Sequence, residues 1–193
     1  MKKLHMNLEK GYDITIGRGL LDSADSYFDL NRKVLIISDT GVPREYAEKL
    51  RSKCKEGHII VFKQGEASKN IETYKKCIAK AVECSLDRKS AIVAVGGGVV
   101  GDLAGFVASS YMRGIDFYNV ATTTLSSIDS SIGGKVAIDY EGYKNIVGAF
   151  YQPKGVLIDL DTLKTLDARN VHNGLVEAIK TGLIGDKALF EMF

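Results

Sequence analysis

The chain has 193 residues, enough for one ordinary domain and part of another. Hydrophobic residues at 45% and charged residues at 26% are the proportions of a folded globular protein, which excludes a disordered or fibrous chain. A formal net charge of +2, with the lysines scattered, excludes a broad nucleic-acid-binding surface.

In chain order, residues 2–17 read as two short alternating strands, KLHMNLE and YDITIG, turning at Gly11, with a helix beginning near Leu20. Lys2 and Lys3 are followed by LHMNLEKGYD, which lacks the apolar core of a signal peptide, and nothing later reaches membrane-spanning length. No targeting or membrane segment is expected. A regular alternation follows: a buried-type strand over 34–38, a helix over 42–55, a strand over 58–62, a helix over 71–85 and a strand over 91–95 that runs into GGGVVGD. A helix over 103–111, a strand over 117–121, a helix from Thr124 and a strand over 155–159 continue it. Between the last two, KVAIDYEGYKNIVGAF reads as an irregular or hairpin excursion, the kind of long connection that carries function. The alternation predicts an α/β fold, a Rossmann-like, mostly parallel sheet with helices on both faces.

From about Leu166 only helical patterns remain. Asp167 is a candidate cap, Gly185 a break, and the apolar pattern runs to Phe193 without a stop signal, as in a chain that continues. The expected division is an α/β domain over 1–166 and the start of a helical domain over 167–193. Cys54, Cys77 and Cys84 are odd in number and lack CxxC spacing, so reduced thiols and a cytoplasmic setting are expected.

The strongest physical signal is Gly96, Gly98 and Gly101, a G-x-G-x-x-G placed between an apolar strand and a helix. Such glycines bring backbone amides to a pyrophosphate at a helix start, although a glycine-rich turn is often only a tight connection. This one follows the third strand of the run rather than the first, which implies a variant nucleotide fold. Asp102 reads either as a helix cap or as a carboxylate meeting a ligand hydroxyl or amide. Glu66 and Lys69 sit in a loop where nucleotides bind in such folds, yet the residues alone favour a capping box in which Ser68 or Asn70 starts the next helix. Thr122, Thr123, Asp129, Lys135, Lys144 and Asn145 cluster among small residues; the mixture suits a polyhydroxylated phosphate ester, or equally a hydrophilic surface loop. Arg113 after an apolar helix is also a plain C-terminal cation. In NGLVEAIKTG a helical wheel sets Leu175, Val176, Ile179 and Leu183 against Asn173, Glu177 and Lys180, and Glu177 with Lys180 reads first as an exposed pair. His5, His58 and His172 are dispersed, and no Ser-His-Asp pattern is present.

In the order EASK, GGGVVGDLAGFVASSYMRG, TTTLSSIDSSIGGKVAID, GYKNIVGAFYQP, VLIDLDTL and NGLVEAIK, the chain resembles the 3-dehydroquinate synthase family from about Asp39 onward. It departs from the common pattern at Ala121, Thr124 and Ser126, where Pro, Leu and Ala are more usual. The resemblance implies NAD contacts from Asp39, Glu66, Lys69, Gly96, Gly97, Gly98, Gly101, Asp102, Thr122, Thr123, Leu125, Lys144 and Thr165. It implies Lys135 and Asn145 at a substrate phosphate, Arg113 there from a neighbouring subunit of a homodimer, and Asp129 and Lys180 near substrate hydroxyls. Glu177 matches one ligand of a zinc (or cobalt) site in an all-helical metal-binding domain, whose two histidine partners have no counterpart here. The implied reaction converts 3-deoxy-D-arabino-heptulosonate 7-phosphate to 3-dehydroquinate and phosphate, with NAD regenerated. Alternatives are another sugar-phosphate cyclase of the deoxy-inosose or epi-valiolone synthase type, a polyol-phosphate dehydrogenase, or a nucleotide-binding module without activity. No membrane or nucleic-acid partner is expected.

Overall fold

In the computed structural model, which describes residues 1–193, the unbroken apolar runs become the strands buried on both faces. Strands β1 (Lys2–Met6), β2 (Tyr12–Gly17), β3 (Lys33–Asp39), β4 (Glu56–Phe62), β5 (Ala91–Gly96), β6 (Asp116–Ala121) and β9 (Gly155–Asp159) form one seven-stranded sheet, in the order β1-β2-β9-β6-β5-β3-β4. Only β1 with β2 is antiparallel; the other pairs are parallel. β7 (Lys135–Tyr140) and β8 (Tyr143–Phe150) pair separately as an antiparallel hairpin.

Alternate residues of each strand serve opposite faces. Leu35, Ile37, Ile92, Ala94 and Phe117 pack under α2 (Ile71–Glu83) and α3 (Gly98–Ser110), together with Ile138 of β7. Val34, Ile36, Val93, Val95 and Val120 pack under α1 (Arg44–Lys53) and the 3-10 segment Leu20–Ser26. Helices therefore cover both faces, as the alternation predicts.

Several boundaries differ from the periodic reading. α1 starts at Arg44, because Pro43 is suited to a helix entrance and has no N–H to bond within it. α3 starts at Gly98 rather than Leu103, since the glycines taken for a loop tuck the first turn against β5 and β6: a Cβ on Gly101 would stand 3.1 Å from Asn119 Nδ2. The helix expected from Thr124 does begin there, with Thr124 and Leu125 helical, but it continues only as a π-type turn, Ser126–Ser130, before Gly133 and Gly134 with φ of 91° and 71°. Asn70 caps α2 through the Thr73 N–H at 2.9 Å, and Asp167 caps α4 (Ala168–Gly185) through the Asn170 N–H at 2.8 Å.

The wheel drawn for α4 separates two sides, but a third, small-residue face is the one that docks. Gly174, Ala178 and Gly182 are buried, whereas Val176 and Leu183 are 64% and 65% exposed. The cause is close approach. A Cβ on Gly174 would press on Thr124 Cβ and come within 2.5 Å of the Leu125 backbone nitrogen, so the small face docks and the large apolar one does not. Gly182 receives the short α5 (Lys187–Phe190) in the same way. The chain contains no helix long and apolar enough to cross a membrane.

Candidate functional site

The chain runs from β3 outward to β4 and then crosses back to β5, which pairs with the other side of β3. The order therefore reverses between β3 and β5, and a crevice opens outside their carboxyl ends, where doubly wound folds bind ligands. Asp39 closes β3 and Gly96 closes β5, so the glycine loop sits at this switch even though it follows the third strand of the run. A cleft of about 300 Å³ there is lined by Asp39, Gly41, Gly97, Gly98, Thr122, Thr123, Leu125 and Thr165, among others. Asn173 from the polar side of α4 lines it too, as do Tyr46, Gln64 and Asn170, which nothing in their sequence context marks.

The chain around this cleft fits a dinucleotide. No side chain caps α3, so the amides of its first turn lie open to an anion, reinforced by the helix dipole. A Cβ on Gly97 would stand 3.0 Å from Thr123 Cγ2, and one on Gly98 3.0 Å from Ser130 Oγ, so side chains there would fill the space a pyrophosphate needs. Thr122 is buried with its N–H on the Gly96 carbonyl at 3.0 Å, and Thr123 is tied to Ser126 Oγ, which also reaches the Gly96 carbonyl. Thr165 Oγ1 lies 3.3 Å from Tyr46 Oη. Asp39 accepts the Gly41 N–H at 2.8 Å, and burial holds its carboxyl above the usual aspartate range.

A second cavity, of about 460 Å³, lies on the other side of the α3 entrance, between it and the hairpin. It is lined by Asp102, Asp129, Ser130, Lys135 and Asn145, together with apolar residues of β7 and β8. Asp102 is no cap, because it lies inside α3 and turns its carboxylate to Lys69 Nζ at 3.2 Å. Lys69, only 4% exposed, also meets Asn145 Oδ1 at 2.6 Å, Glu66 Oε1 at 3.1 Å and Asp139 Oδ1 at 3.9 Å. The residue-only reading of Lys69 as a solvated charge in a capping box is thus corrected: the cap belongs to Asn70, and Lys69 is the cation at the centre of an acidic cluster. Lys144 reaches Glu66 at 3.5 Å from the solvent side.

Glu177 and Lys180 pair with each other on α4, and Asp129 adds to the field that raises the Lys180 ammonium. Asp129, which lines the second cavity, is the link between that cavity and this pair. Arg113 is not brought there: it is exposed on the turn after α3, where Met112, Arg113 and Gly114 have φ of 50°, 69° and 114°. The residues present do not make a metal site. Glu177 is neutralised by Lys180, and no three His, Cys, Asp or Glu side chains gather around a point.

Burial pushes the Asp102 carboxyl up to about 6, with Lys69 opposing the shift. Between about pH 4 and this value the folded state keeps a proton that the unfolded chain has lost, so this group's contribution to stability falls as pH rises through that window. Relative to the parent protein, Asp102→Asn is expected to gain on the order of 2 kcal/mol between pH 4 and pH 7. Urea unfolding of both proteins at the two pH values checks this, and parallel pH profiles would refute it.

A parallel, doubly wound sheet with a bare glycine loop at its switch crevice defines an α/β domain of the nucleotide-binding class. Comparison with known proteins narrows this. The family model for the 3-dehydroquinate synthase N-terminal region matches residues 59–173. The 3-dehydroquinate synthase of Alkaliphilus metalliredigens is 45% identical over 195 residues, covering 99% of this chain and 54% of that protein. Two solved structures superpose with a TM-score of 0.86. One, 2-deoxy-scyllo-inosose synthase with carbaglucose-6-phosphate, NAD+ and Co2+, is 32% identical over 93% of this chain and 51% of its own. The other, 2-epi-5-epi-valiolone synthase from Streptomyces hygroscopicus with NAD+ and Zn2+, is 31% identical over 98% of this chain and 54% of its own. This chain belongs to the 3-dehydroquinate synthase family, and it spans about half the length of the curated relatives it matches.

Proposed function

We propose that this chain is the NAD-binding part of a 3-dehydroquinate synthase, acting on 3-deoxy-D-arabino-heptulosonate 7-phosphate. The observation that carries the reading is the pairing of two cavities at the α3 entrance, a bare glycine cleft at the sheet switch and a polar chamber lined by Asp102, Asp129, Lys135 and Asn145, able to take a phosphorylated polyol. Identity favours this substrate over those of the other cyclases, at 45% against 31–32%.

Bound NAD supplies a hydride acceptor that is restored later in the same turnover. The chain's own residues bind and orient. The amides opening α3 receive the pyrophosphate, and Asp39 takes a ribose hydroxyl. Asp102, at the wall of the polar chamber, would contact the cofactor where it reaches that chamber. Lys135 and Asn145 hold the substrate phosphate, while Asp129 and Lys180 orient substrate hydroxyls. Holding one conformer of a flexible substrate is the main rate contribution of such a wall.

In the same proposal residues 1–166 form the cofactor domain and 167–193 begin a helical one. Glu177 would be one donor to a divalent metal, which would supply a Lewis acid for a substrate alcohol oxygen. Arg113, presented outward on its left-handed turn, serves the phosphate of a second subunit in a homodimer. The three unpaired cysteines agree with a cytoplasmic setting.

Two titrations by calorimetry test the assignment. NAD is expected to bind more tightly than NADP, since Asp39 and Glu66 are acidic and no arginine cluster lies beside the cleft. Asp102→Asn is expected to weaken NAD binding, and Lys135→Ala to leave it unchanged. NADP binding as tight as NAD, or equal losses from both substitutions, would overturn the division of roles.

A further inference from the structure

We infer that Asp139 is a positioning residue that holds Asn145 in the conformation the phosphate-binding chamber requires. The inference rests on the functional reading above and extends it to a residue with no assigned role. Asp139 stands where the β7–β8 register breaks: Ile138 pairs with Val147 and Tyr140 with Tyr143, so Lys144, Asn145 and Ile146 bulge opposite the single residue Asp139. A bulge bends its strand and re-aims side chains, a device found beside active sites. Here it leaves the Asn145 backbone at φ 55°, a left-handed conformation that is uncommon outside glycine and that asparagine tolerates best, so a partner is needed to select it over the extended one.

Asp139 is that partner. Its Oδ1 accepts the Asn145 N–H at 2.9 Å, taking the place of the ladder partner that the bulge removes. Asp139 is itself fixed, for its own N–H donates to the Lys69 carbonyl at 2.8 Å and it bridges to Asn70 beside the start of α2. With its backbone held this way, Asn145 turns Oδ1 to Lys69 Nζ and leaves its Nδ2 donors without a protein partner at the wall of the chamber. Two free N–H donors beside the Lys135 ammonium suit an anionic oxygen, and a carboxylate acceptor in their place would repel it. Asp139 touches neither cavity and acts through Asn145.

Because the interaction asked of Asp139 is acceptance of one N–H, a neutral amide oxygen at the same point serves. Asp139→Asn therefore keeps the conformation, whereas Asp139→Ala releases it. The test is titration of the 193-residue chain, and of both variants, with inorganic phosphate and separately with NAD, followed by amide NMR shifts; exchange of the Asn145 amide is recorded alongside. Asp139→Ala is expected to weaken phosphate binding about tenfold and speed Asn145 amide exchange, with NAD affinity changed less than about twofold. Asp139→Asn should restore both phosphate affinity and protection. Equal phosphate affinity in Asp139→Ala and the parent overturns the positioning role while leaving the functional reading intact, and so does an Asp139→Asn variant as impaired as the alanine one. A parent chain that binds neither NAD nor phosphate overturns both.

Discussion

Replacing Lys69 with Met is expected to lower the stability of the folded chain by about 3 kcal/mol at pH 7, as removal of one partner from a buried charge cluster does. Lys69 is buried almost completely and is the nearest cation to Asp102, Asp139 and Asn145, while Lys144 touches only Glu66 and is itself exposed. Without the ammonium, carboxylates from the loop after β4, from α3 and from β7 face one another with only the exposed Lys144 on Glu66 and the field of Lys135 on Asp102 to offset them. The loss depends on pH in a way that separates charge from packing. Asp102, already up to about 6 with Lys69 beside it, rises further in the variant, so the folded state takes up a proton that the unfolded chain lacks. The deficit is therefore largest at neutral pH and shrinks toward pH 4. Urea unfolding across that range measures it. A deficit independent of pH would mean that Lys69 matters for its methylene chain alone. NAD binding is expected to fall with it, because the same ammonium fixes the loop carrying Glu66.

The 193-residue chain is expected to retain no stoichiometric zinc after dialysis and to release no phosphate from the heptulosonate, even with NAD and zinc added. Catalytic zinc takes about three protein ligands, and one carboxylate competing with water holds it too weakly to survive dialysis. Glu177 is moreover paired with Lys180, and a metal would have to displace that ammonium first. None of the three histidines lies where it could join Glu177: His5 bonds Asp13, His58 bonds Glu56, and no third donor gathers with His172. The polar chamber is bounded by α3, the Ser126–Ser130 turn and the hairpin alone, so the substrate would keep much of its solution freedom and much of the gain from proximity would be lost. Metal analysis and a phosphate-release assay check the two halves independently. One zinc per chain, or steady phosphate release, would show that the site is built from residues assigned here to structure.

Periodicity and glycine placement determined much of this protein. The apolar runs at 34–38 and 91–95 had to be strands buried on both faces, because no other element hides such runs in a short span, and the alternation with helices required a parallel sheet. The glycine loop was legible because strand, turn and helix are contiguous in the chain. For Asp129, Lys135 and Asn145, local composition left a ligand site and a surface loop equally open, and only the family motifs favoured binding.

Tertiary structure decided what depends on contacts between distant segments. Lys69 reads locally as a solvated charge and becomes the buried cation only when the loop after β4, α3 and the hairpin meet. Likewise, the wheel for α4 separates apolar from polar side chains without saying which face docks, and Gly174 and Ala178 dock because the Thr124–Leu125 backbone comes too close to Gly174 for anything larger. Asp139 carried no signal at all, since its role arises from a register break between two strands. Side-chain period can be read along one segment, whereas the distance between two backbones and the shift of one strand against another belong to the pair, and only the folded chain sets them.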